Sequence, residues 1–152
     1  MLDIAIKLAS EKHCGQFDKG GKPYILHPLR LMMRLRTEDS ELMQLAVLHD
    51  VVGDSGVTFE DLSAMRFSLR VISALICLTH IEGEKYDDYI LRICENEDAV
   101  RIKLEDLKDN SDITRLKGVR PKDLVRIEKY NRSYLICRDL YSTRRCANSK
   151  WS

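Results

Sequence analysis

The sequence lacks any apolar stretch approaching the ~20 residues that a membrane-spanning helix needs. It also lacks a charge bias: across 152 residues, 25 Lys plus Arg face 24 Asp plus Glu. That balance gives no electrostatic footprint for nucleic acid. There is no CxxC pair and no zinc-finger spacing. The five cysteines, Cys14, Cys77, Cys94, Cys137 and Cys146, are odd in number and widely spaced, the usage of free thiols in a reducing cytosol. Most of them read as small hydrophobes on helix faces. Strand patterns, internal repeats and low-complexity linkers are missing too. The opening MLDIAIKLASEKH reads as an amphipathic helix rather than a signal peptide. The expectation is a cytoplasmic chain that does not engage membrane. With 44% hydrophobic and 32% charged residues, it has the composition of one globular domain, placed at 1–142 with a flexible tail over 143–152, and no room for a second catalytic domain.

What the sequence has in quantity is helical periodicity, and the expected fold class is all-α, a compact bundle. Residues 2 to 14 predict a first helix, after which Gly15, Gly20, Gly21 and Pro23 mark an irregular loop carrying lysines. Pro28 suits the first turn of a second helix running to about Arg36, because a proline lacks an amide that would be unpaired there anyway. Ser40 can cap a third helix over roughly 41 to 52. Thr58 with Asp61 resembles a short capped helix, and Ser68 can open one that runs to Thr79. Beyond Gly83 the pattern predicts helices at roughly 85 to 95 and 97 to 115, jointed near Asn96. After Gly118 and Pro121 comes a long C-terminal helix to about Tyr141. That helix can pack on its own core or on a second subunit; the oligomeric state is open.

Two of these helices carry polar residues where a core would not choose them. The run Leu45-Ala46-Val47-Leu48-His49-Asp50-Val51-Val52 is apolar on every side except for the His and the Asp, and a helix apolar all round is a buried one. An ionised carboxylate taken inside costs several kcal/mol unless it is paired or coordinates a cation. A metal would supply the partner; a His–Asp hydrogen bond serving structure alone is the bland alternative. In the helix at 97 to 115, Ala99, Ile102 and Ile113 form one apolar flank and Val100, Leu104 and Leu107 the other. Arg101, Glu105, Lys108, Asp112 and Arg115 form the wet side, while Lys103, Asp106 and Asn110 fall between the two flanks. Asp106 and Asn110 lie one turn apart and can point into one site. A structural polar network is the competing account. His27, at a helix start after the Gly-rich loop, completes a two-His, two-carboxylate set with His49, Asp50 and Asp106. Such a set suits manganese, iron, zinc or magnesium, and it leaves room for water and a phosphate oxygen.

The order His…His-Asp…Asp comes with four informative stretches. They are His13-Cys14-Gly15-Gln16, Lys22-Pro23-Tyr24-Ile25-Leu26-His27-Pro28-Leu29, Leu48-His49-Asp50-Val51-Val52 and Lys103-Leu104-Glu105-Asp106-Leu107-Lys108-Asp109-Asn110. Over roughly residues 3 to 116 the chain resembles the HD-superfamily hydrolases that remove the 3′-pyrophosphate from guanosine tetra- and pentaphosphate. The resemblance implies an HD-domain helical bundle and metal ligation by His27, His49, Asp50 and Asp106. The ion would be one divalent cation, commonly manganese, with Mg2+, Fe2+ and Zn2+ as alternatives. It also places Lys19 in a loop that approaches the nucleotide and Asn110 near the guanine, with Tyr24 and Lys103 as further candidates for substrate contact. For these last two, core packing and a snorkelling surface lysine are the structural alternatives. Thr79 is equally a helix-end residue.

Two departures stand out. The family usually reads His-Asp-x-x-Glu-Asp, with the Glu-Asp pair acting on the attacking water and the leaving group. This chain reads His49-Asp50-Val51-Val52-Gly53-Asp54. Asp54 is then the remaining catalytic acid, unless the helix ends at Gly53 in a left-handed cap and re-aims it. Losing a general base typically costs ~10²- to 10⁴-fold in rate. The second departure is Asp18, where the family places an arginine that stacks on the base; an acid beside a polyphosphate repels it. The leading expectation is a metal-dependent phosphohydrolase acting on a small-molecule nucleotide. The alternatives are a nucleotide-binding regulatory module impaired at Gly53, and a structural helical domain whose acids pair with Lys or Arg.

Overall fold

Side-chain caps decide where several helices of this chain begin. The computed structural model describes the backbone of residues 1–148 and their side chains except those of Asp54, Arg145, Ala147 and Asn148. Helix α1 spans Leu2–Lys12, α2 Leu26–Arg34, α3 Ser40–Leu48, α4 Val51–Ser55 and α5 Phe59–Ala64. Then follow α6 (Leu69–Leu78), α7 (Tyr86–Ile93), α8 (Glu97–Ser111), a 3-10 turn (Ile113–Arg115) and α9 (Pro121–Asn148). The architecture is an all-α bundle. Among the described residues there is no strand beyond an isolated bridge between Phe17 and Pro23, and no helix is long and apolar enough to cross a membrane.

Side-chain oxygens meet the amides that a helix start leaves unpaired. Thr58 and Asp61 form a reciprocal capping box at α5. Ser68 accepts from the Val71 amide at 3.2 Å, and Asn96, the expected joint, accepts from Ala99 at 3.0 Å to open α8. The cap of α3 is Asp39 rather than Ser40, accepting from Glu41 and Leu42. The expected helix over 41 to 52 is in fact two, because α3 stops at Leu48 and α4 starts at Val51, with His49 and Asp50 in the turn between them. The left-handed residue that ends α4 is Gly56, at φ 71°, so Gly53 is helical. The helix expected over 97 to 115 ends at Ser111, and Asp112 caps the 3-10 turn that follows. Helix α9 runs past its expected end near Tyr141 to Asn148.

Helix α3 is the buried axis that its composition predicts, with Leu42, Leu45, Ala46, Val47 and Leu48 all at 1% exposure or less. It packs on α1, α2, α6 and α8, while α8 also packs on α2, α6 and α9. Each leucine or isoleucine so enclosed is worth roughly 1.5–3 kcal/mol relative to exposure. Leu31, Leu62, Leu75, Ile90, Ile93, Ile102 and Leu107 extend the same core. The C-terminal helix packs on its own chain: Cys137 on α9 is buried with its sulfur 3.8 Å from that of Cys94 at the end of α7. Arg92 of α7 ties the bundle's edge together. It donates to the carbonyls of Ile76, Cys77 and Thr79 at the end of α6 and, through two nitrogens, to Glu84.

Candidate metal centre and adjoining cleft

A helix start, a turn between two helices and the middle of a third helix bring the polar intrusions together. His27 stands in the first turn of α2, His49 and Asp50 in the turn between α3 and α4, and Asp106 in the middle of α8. The His27 and His49 rings meet edge to face, 5.2 Å between centroids. Asp50 Oδ2 lies 3.0 Å from His49 Nε2 and 3.8 Å from His27 Nε2. Asp106 Oδ1 lies 3.3 Å from His27 Nε2 and 4.0 Å from His49 Nε2. Ligand atoms of His27, His49 and Asp50 all fall within 4.8 Å of one another, a spacing that can hold a metal ion.

The ring nitrogens test whether a cation fits. His49 Nδ1 donates to the Ala46 carbonyl at 2.9 Å, and His27 Nδ1 hydrogen-bonds Asp109 Oδ2 at 2.8 Å. Both Nε2 atoms are buried and form no hydrogen bond among the described residues. A buried polar atom without a partner is costly, and two such atoms facing two carboxylates form a donor set suited to a divalent cation.

The electrostatics point the same way. Burial alone lowers the pKa of His27, but the Asp106 and Asp109 carboxylates beside the ring carry it up to about 9. His49 shifts upward too, Asp50 outweighing burial. Burial would raise Asp50, yet the His49 ring beside it brings it down to about 2. Asp106 is likewise held far below the carboxylate range, here by Lys103 against the effect of burial. The two acids and the two rings hold one another in their charged forms, the electrostatic setting of a site that draws in positive charge.

Surrounding residues fix these groups. The Tyr24 hydroxyl donates to Asp50 Oδ2 at 2.5 Å. Tyr24 is itself seated by its amide bond to the Gln16 carbonyl and by the ring of buried His13, which also bonds the Gln16 side chain. Lys103 is no snorkelling surface lysine: it is buried and donates to Asp106 Oδ2 at 2.8 Å. Asn110, one turn on, donates to Asp106 Oδ1. Thr79 caps α6 and returns its hydroxyl to the Leu75 carbonyl. Gly53 is exposed on α4, and a Cβ there would meet nothing within 4 Å among the described residues. The side chain of Asp54 lies outside the described residues.

A cleft of about 380 Å³ opens beside the centre. His27, Asp50 and Asp106 form one wall, with exposed Lys19 at the loop and Arg126 and Tyr130 of α9 opposite. Sequence reasoning missed these α9 residues, and it missed Asp109. Arg115, expected on the wet face, is carried into the cleft wall by the 3-10 turn, whereas Ile113, expected on an apolar flank, is exposed. Arg115 donates to Asp18 Oδ2 at 2.8 Å, and Asp18 Oδ1 accepts from the amides of Gly20 and Lys22. The acid at position 18 is therefore paired and shapes its own loop, which removes the repulsion expected of a free carboxylate.

No protein-family model matches the chain. It is 34% identical over 119 residues to the guanosine-3′,5′-bis(diphosphate) 3′-pyrophosphohydrolase of Aquifex aeolicus, a match covering 72% of this chain and 17% of that protein. Against the bifunctional (p)ppGpp synthase/hydrolase SpoT of Escherichia coli it is 27% identical over 141 residues, 84% of this chain and 20% of the other. Over 66 residues it is 41% identical to the MESH1 pyrophosphohydrolase of Danio rerio, 40% of this chain and 37% of that one. The solved structure of a metazoan SpoT orthologue that hydrolyses ppGpp superposes with a TM-score of 0.73 at 22% identity, covering 90% of this chain and 84% of that one. The chain is a relative of these pyrophosphohydrolases. It spans about a sixth to a fifth of the length of the two bacterial proteins.

Proposed function

We propose that this chain is a metal-dependent phosphohydrolase that cleaves a phosphate or pyrophosphate ester of a nucleotide, with guanosine 3′,5′-bis(diphosphate) as the first substrate to test. The observation that carries the reading is the pair of buried, unpartnered Nε2 atoms of His27 and His49, aimed at Asp50 and Asp106 on the wall of a cleft. In this reading His27, His49, Asp50 and Asp106 hold one divalent cation, Mn2+ by preference. Such a cation lowers the pKa of water and polarises a phosphoester. Tyr24 fixes the Asp50 carboxylate, and Lys103 with Asn110 fixes Asp106. Lys19 and Arg126 bring positive charge to the cleft, where a phosphate substrate would lie. We assign proton transfer to Asp54, the acid that remains in the run where the relatives' motif carries Glu-Asp.

The test is release of phosphate or pyrophosphate, with Mn2+ present, from guanosine 3′,5′-bis(diphosphate), NADPH and ordinary nucleotides. Wild type is compared with His49→Gln, which removes a ligand without stranding buried Lys103, as Asp106→Ala would. Turnover that vanishes in the variant supports the reading; metal-loaded wild type inert on all of them overturns it. One observation favours a second reading, a binding module that has lost hydrolysis: exposed Gly53 stands where the relatives' motif carries a carboxylate. Under that reading Gly53→Glu, which the open space accommodates, restores activity by ~10²-fold or more. A site built around Asp54 gains little or loses.

A further inference from the structure

Among the described residues, Asp109 is an acid with unusual surroundings. It is fully buried on α8, and three arginines converge on it. Arg30 donates to both its oxygens, at 2.9 and 3.0 Å. Arg34 lies 3.0 Å from Oδ1, and Arg115 reaches Oδ2 while also donating to the Asp109 carbonyl. The fourth partner is the His27 ring, through Nδ1. His27, Arg30 and Arg34 lie three and four residues apart on α2, so one stripe of that helix faces a single carboxylate.

Two accounts compete. Asp109 can be a lock between α2 and α8, for which the arginines alone suffice. Alternatively it can set the state of His27. The geometry favours the second, because the carboxylate oxygen that meets His27 is held by arginines on its other sides and has one task left toward the ring. Paired with them it stays ionised, can only accept, and so keeps the proton on Nδ1. In the neutral ring that a cation requires, the other nitrogen then carries the lone pair, and it is the one that points, buried and without a hydrogen bond, toward Asp50 and Asp106. His49 is set in the same sense by the Ala46 carbonyl, a neutral acceptor; His27 has a charged one, which makes it the stronger donor to a cation.

We propose that Asp109 is a positioning residue for the metal centre: it fixes the tautomer and ring orientation of His27 and raises its basicity, while Arg30, Arg34 and Arg115 keep Asp109 ionised and in place. This rests on the reading of His27 as a metal ligand.

The test is Mn2+ affinity, measured by competition with a chelating indicator on metal-free wild type, Asp109→Asn and Arg34→Gln, each shown to be folded by its thermal melt. Asp109→Asn keeps the shape and removes the charge, and a 10- to 100-fold loss of affinity is expected. Arg34→Gln removes one of the three arginines and leaves the His27 bond, and it loses several-fold less affinity than Asp109→Asn; an equal loss overturns the assignment of the effect to the His27 bond. A folded Asp109→Asn that binds Mn2+ as wild type does overturns the proposal while leaving the metal site standing. Wild type that binds no Mn2+ overturns both. If Asp109→Asn does not fold, the wild type decides. In its Zn2+-loaded form, long-range 15N–1H spectra of the histidine rings should show His27 protonated at Nδ1, and a proton on Nε2 overturns the assignment.

Discussion

Arg92 and His27 each stand at the centre of a polar cluster, and the two clusters close differently. Around Arg92 every contact is complementary: its guanidinium meets three carbonyls at the end of α6 and both oxygens of Glu84. A helix end that would otherwise leave carbonyls unpaired is satisfied there. Around His27 the pairing is thorough on one side, with Asp109 and its arginines, and incomplete on the other, where two ring nitrogens face two carboxylates with no hydrogen bond. A cluster that serves only structure has no reason to retain that deficit. The comparison teaches where in this bundle to look for chemistry: at the polar group left over, more than at the polar group buried.

Breaking the incomplete cluster should cost function most. His49→Gln is expected to abolish retention of Mn2+ through gel filtration, together with any turnover. Asp106→Ala should add a large stability loss, on the order of 3–5 kcal/mol, because Lys103 stays buried without its partner; urea unfolding of the metal-free protein would read it. Breaking the complete cluster should do the reverse. Arg92→Ala is expected to cost about 2 kcal/mol of stability with Mn2+ affinity unchanged.

The pH dependence sharpens the contrast. The Arg92 hydrogen bond holds the Glu84 carboxyl down at about 2, from an ordinary 4.5. Its contribution is therefore complete above pH 4.5 and lost as the pH falls from there through about 2. Melting temperatures of wild type and Glu84→Gln should converge across that window and stay apart above it. The smallest effect is expected at Arg34, half exposed and one of three arginines on Asp109. Arg34→Gln should change stability by under ~1 kcal/mol.

Much of this was legible in the sequence, and the failures have a common cause. The all-α class, the caps at Thr58 and Ser68, the buried third helix and the grouping of His27, His49, Asp50 and Asp106 follow from periodicity, capping chemistry and the cost of a buried acid. Tyr24, Lys103 and Asn110 came with the motif that resembles the hydrolases. Asp109 was hidden because its burial depends on arginines from α2 and from beyond α8, which no local pattern announces. Arg115 and Ile113 exchanged environments because a 100° step per residue was extended past Ser111, where the chain tightens into a 3-10 turn. Arg126 and Tyr130 reach the cleft only through the packing of α9 on α8. The break at His49 and Asp50 interrupts an apolar run that carries no stop signal.

The wall of the cleft formed by α9 has a consequence for the order in which the chain is made. The candidate ligands run from His27 to Asp106, and the opposing wall begins only at Arg126. At synthesis rates of roughly 5–20 residues per second, about 5–20 s separate the first ligand from the last wall residue. For about half of that time α2 and α3 have been made without α8, so the nascent chain shows the ribosome exit and its chaperones an apolar α3 and two histidines that have Asp50 but neither Asp106 nor Asp109. The chain therefore completes the candidate ligand set before the part of the cleft that α9 supplies.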